Sequence, residues 1–170
     1  MKLKVVAITL LASTTMVGYS TTLFAETCYD ASGSVTTENI TSALQIGNIS
    51  LTLGDSSSPV FSGTGSLVGN ITGADSFGVT LLSHKARFTQ GDSFVTSGDK
   101  AELVYPYVRE TLADGTPCSF YIHETISNIA KGTRFFKNVT SGSIFADGYI
   151  SNCPNQNENY FELSGQLCVE

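Results

Sequence analysis

Two ionisable side chains lie in stretches whose alternation turns them toward a core. In Phe120-Tyr121-Ile122-His123-Glu124-Thr125-Ile126, the residues Phe120, Ile122 and Ile126 share one face, and Glu124 shares it with them. Around Thr80–Phe88, the face that holds Leu82, Ala86 and Phe88 also holds His84. Successive side chains of a strand point to opposite sides, so both polar groups are expected to point inward. A buried ionisable group must be paired, neutral or bridged by water, because a lone charge loses its hydration. A carboxylate and an imidazole converging in an apolar cavity can orient the polar end of a ligand. They can also form an acid–base pair, with Glu124 moving the proton and His84 as its partner. The bland alternatives are a structural hydrogen bond between the two, or a position at a solvated barrel mouth. A single bulge would reverse either face.

The remaining catalytic inventory is thin. Neither G-x-S-x-G nor a phosphate-binding glycine loop occurs, and Thr125-Ile126-Ser127 after His123-Glu124 breaks the H-E-x-x-H pattern. The four cysteines, Cys28, Cys118, Cys153 and Cys168, are never closer than fifteen positions, which is too far for paired zinc ligands. No metal and no cofactor is expected, no catalytic residue is assigned, and the balance leans away from an enzyme.

Those residues sit in a chain marked for export. Lys2 and Lys4 precede the apolar run Val5–Ala12, and a hydroxylated stretch then ends at Leu23-Phe24-Ala25. This order reads as a secretory signal peptide over residues 1–25, with a cut after Ser20 as the alternative to one after Ala25. The rival reading, a membrane anchor, suffers from seven Ser and Thr residues diluting the apolar run. Residues 26–170 then form one domain, secreted or periplasmic, with no stable membrane insertion after signal removal. The formal net charge is −6, without a Lys/Arg cluster. That excludes the electrostatic footprint for nucleic acid and for an anionic lipid surface.

Alternating runs separated by turn clusters recur along the chain, among them Ile49–Leu53, Phe120–Ile126 and Phe161–Leu167. They predict an all-β fold, a small closed antiparallel barrel of about eight strands. The strands are placed at 44–53, 60–71, 78–89, 93–104, 118–129, 133–140, 142–151 and 159–168, with a further one around Val35-Thr36-Thr37. In 61–71 the glycines Gly63, Gly65 and Gly69 share a face with Phe61, Leu67 and Ile71. Glycines in phase with large apolar residues permit tight bending and close approach of opposing side chains. Four cysteines in an oxidising compartment allow two disulfides in three pairings. Closing an up-and-down barrel brings its first and last strands together and pairs Cys28 with Cys168. That leaves Cys118 and Cys153, both at turn boundaries, for each other.

The glycine-punctuated segments resemble a known family. Gly63-Thr64-Gly65-Ser66-Leu67-Val68-Gly69, Gly78–His84 and Phe88-Thr89-Gln90-Gly91-Asp92 are similar in pattern to the strands of allene oxide cyclase and dirigent-like barrels. Gly132-Thr133-Arg134-Phe135 through Gly142 resembles, with one residue more before the last glycine, the hairpin those barrels write as G-T-x-x-F-x-x-x-x-G. The resemblance implies an eight-stranded barrel with a central cavity and, as relatives often form trimers, a homo-oligomer. It transfers no catalytic residue. Lipocalin, avidin-like and immunoglobulin-like readings all lean on tryptophan, and the chain has none. Three functions follow in order: a module binding a small apolar ligand in or at the barrel, a structural or surface-interaction protein with a filled barrel, and a cyclase- or isomerase-type enzyme.

Overall fold

The computed structural model describes residues 26–170. The expected signal peptide, residues 1–25, lies outside the described residues.

The described chain is all-β, with strands β1 (Thr27–Thr41), β2 (Leu44–Leu53), β3 (Phe61–Ala74), β4 (Thr80–Phe88), β5 (Ser93–Thr96), β6 (Asp99–Thr111), β7 (Pro117–Ile126), β8 (Ile129–Thr133), β9 (Val139–Ser151) and β10 (Glu158–Val169). Eight of them close into an antiparallel ring in the order β1-β2-β3-β4-β6-β7-β9-β10, with β10 returning to β1. The short strands β5 and β8 stand outside the ring, β5 on β4 and β8 on β5. The first and last strands are neighbours, and Cys28 and Cys168 face each other in register and are bonded. Cys118 and Cys153 form the second disulfide, where β7 begins and β9 has just ended. Two disulfides and no free cysteine among the described residues fit an oxidising compartment. No helix among them is long and apolar enough to cross a membrane.

The inward faces carry the core: Ile49, Leu51 and Leu53 on β2, Phe61 and Leu67 on β3, Ala86 and Phe88 on β4, and Leu163 and Leu167 on β10. One end of the ring is sealed by rings. Phe136 is 1% exposed and packs against Phe61, Phe88 and Phe94 at centroid distances of 4.9, 5.5 and 5.0 Å.

That seal explains a departure from the expected strands. Residues Arg134–Asn138, expected within a strand at 133–140, form a 3-10 helix. Phe135 and Phe136 are adjacent, yet both pack against Phe61. A strand would send them to opposite faces, whereas a tight helical turn keeps both on the core. The expected strand at 93–104 likewise breaks in two at Ser97-Gly98, where Gly98 has φ +72°. The N-terminal strand is far longer than Val35–Thr37 suggests, because Gly33, Thr37 and Asn39 occupy positions in phase with buried Ala31 and Val35 and hide the alternation.

Phe136→Ala removes the ring on which four others, Phe61, Phe88, Phe94 and Phe135, converge. Chemical denaturation is expected to show a loss of about 3–5 kcal/mol. A loss below about 1 kcal/mol would contradict the role of this cluster as the seal.

Candidate functional site

The site begins where β4 changes neighbours. Lys85, Ala86 and Arg87 pair with β5, whereas Thr80, Leu81 and Leu82 pair with β6. His84 falls between the two ladders. Its backbone N–H donates instead to the Thr96 hydroxyl, at 2.8 Å. The same hydroxyl donates to Asp99 Oδ2, and that oxygen lies 2.8 Å from His84 Nδ1. Thr96 ends β5, Asp99 begins β6, and the turn at Gly98 between them brings both onto one imidazole.

Glu124 enters from the next strand. Its Oε1 lies 3.3 Å from His84 Nδ1, outside hydrogen-bond geometry. Small residues make room for this polar layer. Glu124 is flanked in register by Ala101 on β6 and Ala146 on β9. Gly69 faces His84 across the β3–β4 pair, and a Cβ built there would stand 3.1 Å from two ring atoms. One of the glycines in phase with Phe61 and Leu67 therefore has a specific task.

All four residues are buried, with Thr96 and Asp99 fully inaccessible. Asp99 Oδ1 and Glu124 Oε1 have no hydrogen-bond partner among the protein atoms. A second buried polar group behaves differently. Asn159 donates to Thr37 Oγ1 and Asn39 Oδ1 at 3.1 and 2.9 Å, and accepts from the Ser151 N–H at 2.9 Å. That network is satisfied and fastens β1, β9 and β10 together. The His84 layer is not, and underused buried polar atoms are where function is sought.

The environment shifts two of these groups. Burial disfavours the imidazolium of His84, but the hydrogen bond to Asp99 and the fields of Glu124 and Asp99 outweigh it, so His84 titrates above its ordinary 6.5. Burial raises Glu124 above its ordinary 4.5, opposed by the charge of His84 and helped by that of Asp99.

Two spaces adjoin the layer. An internal void of about 30 Å³ touches His84, Glu124, Thr37, Ile49 and Leu67. A groove of about 580 Å³ opens at the end of the ring away from the phenylalanine seal, walled by Ile71, Phe77, Leu103, Phe120 and Ile122. Glu124, Gln45 and Phe161 line both, and so partition the void from the groove. His84 and Glu124, expected inward and together, are both inward and adjacent. Asp99 and Thr96 were not anticipated. An unbroken strand over 93–104 puts Asp99 on the face opposite Phe94, and only the two-residue break at Gly98 turns it in.

No protein-family model, curated protein or solved structure matches the chain.

Both raised groups bind protons more tightly in the folded state, so their contributions are complete below the ordinary values and lost as pH rises through the folded ones. With a chelator present, the unfolding free energy is expected to fall as pH rises from below the ordinary value of Glu124 to well above that of His84. Urea denaturation across that range checks it. Stability that stays flat or rises would show that the layer does not hold its protons.

Proposed function

We propose that the protein is an exported binding module that takes a small, largely apolar molecule at the open end of its strand ring. The supporting observation is the contrast between the two spaces. The internal void, about 30 Å³, has room for one or two waters. The groove, about 580 Å³, falls within the roughly 300–1,000 Å³ of small-molecule sites. The occupant therefore sits at the barrel mouth and not inside it.

The groove has the composition such a site needs, with apolar walls and few polar groups. Phe77 is 90% exposed and Leu103 54%, an arrangement that leaves apolar surface in water until something covers it. Gln45 and Glu124 at the floor supply the polar end. The apparent signal peptide and the two disulfides support delivery outside the cell or into the periplasm. The small void favours one second reading, a structural or surface-interaction protein whose interior is filled by side chains.

Native mass spectrometry of the protein from its own export compartment is expected to show a co-purifying small molecule. An environment-sensitive apolar dye is expected to compete for the groove. Leu103→Glu places a charge on the wall and should weaken dye binding at least about tenfold, or about 1.4 kcal/mol. Because Leu103 is at the rim, stability should stay within about 0.5 kcal/mol. Unaltered dye affinity with no co-purifying molecule would favour the filled, structural reading.

A further inference from the structure

His84, Asp99 and Glu124 come from three consecutive strands of the ring, β4, β6 and β7, and turn their donor atoms to one point. We propose that these three side chains form a binding site for a single first-row divalent cation of the zinc type.

The spacing suits a shared ion. His84 Nδ1 is 2.8 Å from Asp99 Oδ2 and 3.3 Å from Glu124 Oε1, and one donor atom from each residue lies within 4.8 Å of the others. Tetrahedral zinc bonds of about 2.0–2.2 Å set neighbouring donors roughly 3.3–3.6 Å apart. The Glu124 oxygen already stands at such a distance from the imidazole nitrogen, whereas the Asp99 oxygen must draw back by about half an ångström as the cation takes the place of the proton on Nδ1.

Charge and satisfaction point the same way. Two carboxyls and one imidazole share the space, so with both carboxyls ionised the buried layer carries two negative charges, and keeping it to one demands a cationic imidazole. A divalent cation removes that demand. It also gives Glu124 Oε1, which lacks a hydrogen-bond partner in a buried side chain, something to bind. One imidazole nitrogen with two carboxylate oxygens is a borderline donor set, suited to zinc better than to calcium or magnesium. Three protein ligands leave the coordination open, and the void beside His84 and Glu124 has room for one or two completing waters.

The surroundings hold the donors in place, as outer partners of metal ligands do. The Thr96 hydroxyl fixes Asp99, and Gly69 leaves the imidazole its space. The other acidic grouping with sulfur donors, Glu26 with Cys28 and Cys168, has both sulfurs locked in a disulfide. His123 with Asp147 on the surface offers only two donors.

The test uses the mature, disulfide-bonded protein stripped with a chelator and titrated with ZnCl₂ alone, without any apolar ligand, so failure here leaves the groove reading standing. Calorimetry is expected to give one equivalent per chain and a raised melting temperature. Glu124→Gln keeps the shape of the side chain and is expected to weaken zinc at least about tenfold. The chain has two histidines, so imidazole NMR of the unmutated protein decides the place even if the variant does not fold. Zinc should shift the His84 ring resonances at one equivalent and leave those of His123 unmoved. Absence of saturable binding, shifts confined to His123, or unchanged affinity in Glu124→Gln would each overturn the site.

Discussion

A strand in a closed ring needs a hydrogen-bonding neighbour along each flank, and β4 has two in succession on one side. Its C-terminal half pairs with β5 and its N-terminal half with β6, so the ladder breaks at His84. A buried N–H left unpaired there would cost about 1–3 kcal/mol. The Thr96 hydroxyl accepts that N–H and donates its own O–H to Asp99, and Asp99 holds the imidazole of the same histidine. One side-chain knot thus repairs the backbone break and places two ionisable groups in the interior.

Much of the rest is arranged around that knot. Gly69, Ala101 and Ala146 are small where the polar layer passes, and large residues resume on either side of it. Below the layer the phenylalanines close the ring. Above it the apolar groove opens, with Glu124 at the boundary. The layer is therefore sealed from one end and reachable from the other. Burial makes Glu124 hold its proton more tightly than usual, whereas for His84 burial works the other way and is outweighed by the hydrogen bond to Asp99 and the charges of Glu124 and Asp99. A second set of polar side chains, around Asn159, uses up its hydrogen bonds in joining strands, which marks the difference between fastening and a site.

The strand ring was legible wherever alternation was carried by large apolar side chains. Leu44–Leu53 has the expected limits, the adjacency of first and last strands and the Cys28–Cys168 bond follow from closure, and the Cys118–Cys153 bond joins the two cysteines at turn boundaries. His84 and Glu124 were legible because each sits in phase with large apolar neighbours. Asp99 was not, since its inward direction depends on a phase change at Ser97-Gly98 that apolar periodicity does not record. A glycine followed at once by an acidic residue, within an apparent strand, was the available signal. The Phe135-Phe136 pair hid a helical turn for a similar reason: adjacent aromatics satisfy a strand's preferences equally well until both must reach the same core. The groove was beyond reach because its walls come from distant strands and a loop.

Thr96, Asp99 and His84 act as one unit at the ladder break. A double-mutant cycle on Thr96→Val and Asp99→Asn, read by urea unfolding of the disulfide-bonded protein, measures it directly. Each change alone breaks the relay, so the second should cost much less after the first, with a coupling of about 1–3 kcal/mol. Losses that simply add, within about 0.5 kcal/mol, would mean that the hydroxyl and the carboxylate serve separate purposes and that no single knot holds the break.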